Sequence, residues 1–108
     1  MSLEAEYGIL TCEDNSEIGT YQWNYPNGWP CLQYVTAVGL KNYGYLEDAK
    51  RIAFKYVTLA EKVFNETGNL WEKYNVVEGN TEVCSENYLM PVMMGWTAGS
   101  YLSLKNMI

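Results

Sequence analysis

Two segments bring together residue types that can do chemistry on a sugar. Gln22-Trp23-Asn24, with Trp29 close behind, sets rings beside amides; Trp71-Glu72-Lys73-Tyr74-Asn75 does the same and adds a carboxylate. The apolar face of a pyranose stacks on such rings while amides and acids pair with its hydroxyls. The chain contains no His, which excludes Ser-His-Asp triads, Cys-His pairs and His-bearing zinc sites. Catalysis would then run on carboxylates, and two carboxylates flanking a bond are the arrangement glycosidases use. The same residues also fit a simpler reading, in which the rings are core and the polar groups are loop decoration.

The rest of the composition narrows the setting. The 108 residues hold four Trp, ten Tyr and two Phe, too aromatic for a disordered segment. They read as one globular unit, 1–108. Thirteen acidic against seven basic residues give a net charge of −6, the wrong sign for gripping a phosphate backbone, so no nucleic acid is expected. No run approaches the roughly 20 apolar residues of a membrane helix, so no membrane association is expected. Cys12, Cys31 and Cys84 are odd in number and widely spaced, which reads as reduced thiols or at most one internal bridge rather than a disulfide framework; with no basic-then-apolar N-terminal segment, a cytoplasmic protein is expected. Nothing calls for a metal or an organic cofactor.

The elements that must position these residues are helical. Residues 1–21 lack sustained periodicity, and Glu13-Asp14-Asn15-Ser16-Glu17 reads as a solvated loop. Tyr25-Pro26-Asn27-Gly28 carries turn signals. Pro30 can open a helix, because its missing N–H would be unpaired there anyway. Leu32, Val35, Val38 and Gly39 continue it to about Asn42. Leu46, Ala49, Ile52, Ala53, Tyr56, Val57, Ala60, Val63 and Phe64 recur every three or four residues, the clearest amphipathic helix in the chain. Gly68 is placed to take a left-handed conformation after its last turn. A further short helix is expected over Gly95 to Leu104. The class is all-α, about three helices joined by long aromatic loops.

The ordered motifs carry a family likeness. Gln22-Trp23-Asn24-Tyr25-Pro26-Asn27-Gly28-Trp29-Pro30, followed by Leu32-Gln33, resembles the trehalase signature QWDxPNGWAPLQ. Glu72-Lys73-Tyr74-Asn75-Val76 is similar to EKYDV of the same enzymes. Asn87-Tyr88 and Gly95-Trp96-Thr97-Ala98-Gly99 fall where that family has GGEY and then GWTNG.

The resemblance implies part of an (α/α)6 toroid and an inverting hydrolysis of a glucose disaccharide such as trehalose. It assigns Glu72 as the general base and places the general acid, an Asp, upstream of this segment. It points to Gln22, Trp23, Asn24, Trp29, Tyr74, Asn87 and Trp96 as the carbohydrate-binding set. Three family acids are amides here, Asn24, Asn75 and Asn87, and residues 80–86 replace the glycine run. An amide keeps hydrogen bonds to sugar hydroxyls but carries no charge and takes no proton.

A twelve-helix toroid needs several hundred residues, so the chain reads as a C-terminal fragment, inactive alone. Helix faces meant for absent neighbours would promote self-association. Two other readings are a non-catalytic carbohydrate-binding helical module and a purely structural helical oligomerisation domain.

Overall fold

The computed structural model describes residues 2–14, 21–86 and 88–108. Asn87 and most of the acidic stretch after Glu13 lie outside them. Three helices dominate: α1 (Pro30–Asn42), α2 (Leu46–Thr67) and α3 (Gly95–Lys105). They pack mutually, and four two-residue strands tie the loops between and before them.

Helix α2 forms where its apolar spacing predicts. Ala49, Ile52, Ala53, Tyr56, Val57, Ala60 and Val63 are buried along one stripe, joined by Leu59. Leu46 and Phe64, expected at the ends of that stripe, stay 43% and 49% exposed. Glu47 and Asp48 sit in the first turn, where the helix dipole favours acids. Gly68 ends the helix at φ 77°, its N–H donating to the Phe64 carbonyl. A side chain there would strain the backbone.

Helix α1 has Pro30 in its first turn, but its buried stripe is Pro30, Gln33 and Ala37, not the row of Leu32, Val35 and Val38. Val35 lies two residues from both Gln33 and Ala37, hence on the opposite side of the helix, and is 61% exposed. In α3, Thr97, Ser100 and Leu104 are buried at spacings of three and four. Two of these are small, which lets the neighbouring helices approach closely.

Within residues 1–21, expected to be irregular, Glu4–Ala5 (β1) pairs antiparallel with Gly8–Ile9 (β2). This hairpin is fastened by side chains and by one backbone bond, the Tyr7 N–H donating to Val76 O at 2.9 Å. The Gln33 amide acts as a strand mate for Ile9: Oε1 accepts from Ile9 N at 2.7 Å and Nε2 donates to Ile9 O at 2.8 Å. Gln33 is 1% exposed, so both bonds are made away from water. Glu4 bonds Arg51 and Lys55 of α2 at 2.9 and 2.8 Å. Those two cations, Arg51 first, pull the Glu4 carboxyl down to about 2.

The pairing that matters for the site joins Asn27–Gly28 (β3) to Tyr74–Asn75 (β4), antiparallel, with Asn27 opposite Asn75 and Gly28 opposite Tyr74. Gly28 is required by close approach, because a Cβ there would overlap Val76 and lie 2.9 Å from the Ile9 carbonyl. Two segments more than forty residues apart in sequence are thereby held side by side.

Candidate functional site

Antiparallel register carries the pairing one step further and sets Trp29 beside Lys73. Trp29 is 2% exposed, and its indole N–H donates to the Gln22 carbonyl at 3.0 Å. Trp23 stacks flat on it, centroids 4.0 Å apart with 7° between planes. Trp96, from the first turn of α3, meets Trp29 edge-on at 5.6 Å. Trp23 and Trp96 keep 41% and 40% of their surface exposed. The outer rings therefore offer the faces a ligand could use, and Trp29 is the base on which they rest.

Asn27, in the turn between these rings, is fully buried and holds the loops together. Its Nδ2 donates to Gln22 O at 3.0 Å and to Cys84 O at 2.7 Å, while Oδ1 accepts from Cys84 N at 3.2 Å. Every polar atom of that amide has a partner, as burial demands.

Glu72 follows Trp71, whose strand-like contact with Val92 braces the loop. The Glu72 N–H donates to Pro91 O at 3.2 Å, and Thr97 Oγ1 of α3 donates to Trp71 O at 2.8 Å. The side chain of Glu72 is 10% exposed and that of Lys73 is fully buried. Glu72 Oε1 accepts from Lys73 Nζ at 2.7 Å and from the Tyr88 hydroxyl at 2.6 Å. Lys73 Nζ also donates to the Tyr88 oxygen at 2.9 Å and lies over the rings of Trp29 and Tyr88, 5.2 and 4.8 Å from their centroids. The Gln22 side-chain amide sits 2.9 Å from the same hydroxyl. That hydroxyl has one proton, and the shorter contact to an ionised acceptor places it on Glu72. Burial, then the Glu72 carboxylate, push the Tyr88 hydroxyl well above its usual range, so it stays a donor at neutral pH.

Of the expected site residues, Gln22, Trp23, Trp29, Glu72 and Trp96 converge on this cluster. Tyr74 does not. It is 1% exposed, meets Tyr56 of α2 edge-on at 6.1 Å, and accepts the Trp71 N–H at 3.1 Å. It is a core ring, because β3–β4 pairing turns it toward α2. Asn24 is half-buried beside Trp23, its N–H donating to Tyr21 O at 3.1 Å. Asn87 lies outside the described residues.

Asn75, where the family signature has Asp, is a turn former. Oδ1 accepts from Val77 N and Glu78 N, and Nδ2 donates to Glu82 O at 2.9 Å. A carboxylate could make the first two bonds but not the third, so the amide fits the loop that replaces the glycine run.

Two members of the cluster, Lys73 and Tyr88, are absent from the set read in the sequence. Lys73 stands in the EKY motif, and a Lys flanked by Trp71 and Tyr74 is the signal that marks it. Tyr88 stands where the family has GGEY, and that motif is its signal in the sequence, while its contact with Glu72 is set by the fold.

A small helical pack whose loops present stacked tryptophans, an amide and a fixed carboxylate has the make-up of part of a carbohydrate-active domain. The trehalase family model matches residues 1–108. Periplasmic trehalases of Salmonella paratyphi B and Salmonella newport are each 34% identical over 87 residues, covering 81% of this chain and 15% of theirs. The neutral trehalase from Saccharomyces cerevisiae superposes with a TM-score of 0.81 at 29% identity, over 99% of this chain and 18% of that one. The chain belongs to the trehalase family. It spans about one-sixth of the length of these relatives, and its three helices match a fragment of a trehalase helical toroid. Among the described residues, no helix is long and apolar enough to cross a membrane.

Proposed function

We propose that this segment supplies the base-bearing wall of a trehalase active site that hydrolyses a glucose disaccharide such as trehalose with inversion. The observation that carries the reading is Glu72, a nearly buried, ion-paired carboxylate in the same cluster as two half-exposed tryptophans. In the reaction, Glu72 takes a proton from a water whose oxygen attacks the anomeric carbon. The glycosidic C–O bond breaks as the departing sugar oxygen receives a proton from an acid outside these 108 residues. One water is consumed and two glucose units leave. Inverting pairs need the two carboxyl groups ~6.5–9.5 Å apart to admit that water.

Two measurements test this. In a full-length trehalase bearing these residues, Glu72→Gln lowers kcat about a thousand-fold with KM little changed, in the range for loss of a general base. The isolated 108-residue chain releases no glucose from trehalose. A Glu72→Gln enzyme that turns over normally overturns the role of Glu72, and glucose release that survives further purification of the chain overturns its inactivity.

The amides at Asn24 and Asn87 favour a second reading, a carbohydrate-binding module without turnover. That module binds sugar in full-length form, seen as a saturable Trp fluorescence change, and shows no hydrolysis even with Glu72 intact. The exposed faces of Trp23 and Trp96 weigh against an all-core structural domain.

Self-association belongs to the same proposal. Val35 of α1 and Leu102 of α3 are each 61% exposed. A shallow groove of ≈ 340 Å³, lined by Cys31, Tyr34, Val35 and Trp96, runs between those helices. A 12.4 kDa monomer by light scattering at micromolar concentration would count against it. A cytoplasmic location is supported by the three free cysteines, although the Salmonella relatives are periplasmic.

A further inference from the structure

A fully buried lysine is uncommon, because its ammonium loses hydration that only close partners restore. Lys73 is fully buried and has such partners: Glu72 Oε1 at 2.7 Å, the Tyr88 hydroxyl at 2.9 Å, and the Trp29 ring, 5.2 Å from its centroid. The ammonium is thus shut off from any bound sugar. It can act on a reaction only through what it holds.

What it holds is one oxygen of the carboxylate. Lys73 and Tyr88 both bond Oε1 of Glu72, and Oε2 takes part in neither bond. Two donors on a single oxygen fix the carboxylate's rotation and leave its other oxygen as the one able to accept from a water. Trp29 bounds the ammonium on one side and is itself stacked by Trp23. The carboxylate and the tryptophan surface are therefore set relative to one another through a single cation.

We propose that Lys73 is the positioning residue of this site, its ammonium clamping Glu72 Oε1 together with Tyr88 and locking the carboxylate to the Trp29–Trp23 stack. This rests on Glu72 acting as the base. General-base catalysis depends on geometry before strength, and a misplacement of about 1 Å costs on the order of a hundred-fold in rate. Arg would not substitute fully, since a planar fork differs in shape from a compact ammonium lodged between two rings.

The test uses a full-length trehalase bearing these residues, with trehalose as the probe and kcat and KM measured separately. Lys73→Met is expected to lower kcat about a hundred-fold with KM within roughly three-fold, and Lys73→Arg about ten-fold. Tyr88→Phe, at a position 36% exposed and so the safest for folding, is expected to lower kcat about ten-fold by removing the second donor.

The decisive comparison is Lys73→Met placed on Glu72→Gln. If Lys73 acts through the carboxylate, the double variant is no slower than Glu72→Gln alone. Should both losses multiply, or should Lys73→Met and Tyr88→Phe keep kcat, the positioning role is overturned while Glu72 stands. Normal turnover by Glu72→Gln overturns the base itself and the positioning role with it. Should Lys73→Met fail to fold, the Lys73→Arg and Tyr88→Phe kcat values decide alone, unchanged values overturning the role.

Discussion

Helix α2 and the paired loops around Glu72 are neighbours in space and opposites in how they are held. The helix rests on eight buried side chains in one stripe, a local pattern whose stabilisation scales with apolar area. The loops rest on polar atoms matched across long stretches of chain: Asn27 to Cys84, 57 residues apart, and Tyr88 to Gln22, 66 apart. Losing apolar area lowers stability in proportion. Losing one partner of a buried polar pair leaves the other unsatisfied and costs its full desolvation. The first design tolerates substitution by degrees, while the second fails at particular atoms.

Four measurements on the isolated chain sharpen or break that contrast. Leu59→Ala, at a fully buried position of α2, should cost about 3 kcal/mol in a denaturant melt and leave the near-ultraviolet circular dichroism of the Trp23–Trp29 stack unchanged below the transition. Loss of that signal in the still-folded chain would mean that helix and loops are one cooperative structure. Asn27→Leu should cost about 2 kcal/mol, because the Cys84 N–H and carbonyl lose their partner while the Gln22 carbonyl keeps only the Trp29 indole, and here the stack signal should go with it. An intact signal would show that the tryptophans are held by stacking alone.

Gly68→Ala should cost about 1 kcal/mol, since φ is 77° and no neighbouring atom lies within 4 Å of an added methyl. A neutral result would show that the last turn of α2 frays and repacks freely.

The smallest effect belongs to Glu4. Its carboxyl is lowered from 4.5 to about 2 by Arg51 and Lys55, so the stabilisation is present above pH 4.5 and is lost as pH falls toward 2. The side chain is 27% exposed, and solvent screening limits the contribution to ~1 kcal/mol or less. Glu4→Gln should therefore be less stable than the parent at pH 7, with the difference shrinking as pH falls from 4.5 through about 2. A difference that does not shrink would assign the loss to packing rather than charge.

The sequence was informative where interactions are local. The span of α2, its stop at Gly68, the opening of α1 at Pro30 and the start of α3 at Gly95 are where periodicity and capping place them. The face of α1 is not legible from apolar spacing, because Gln33 is polar and its amide pairs with Ile9, 24 residues away. The motif around Tyr74 points it to the ligand, whereas β-pairing to Gly28 turns it inward. Lys73 is legible as part of the EKY motif, but its burial against Glu72, Tyr88 and Trp29 is set by the fold.

Sequence alone determined the residue types the site can use: no imidazole, one carboxylate between aromatic rings, and amides at three positions where the family signature carries acids. It also determined the helices, whose hydrogen bonds close within a few residues. Tertiary structure decided which of those residues meet. Two-residue strands have too little pattern to be read along the chain, yet β3 and β4 set Trp29 against Lys73 and so Glu72 against the tryptophan stack. The physical reason is that a buried charge is placed by its partners, and the partners of Glu72 come together only after loops far apart in sequence have closed.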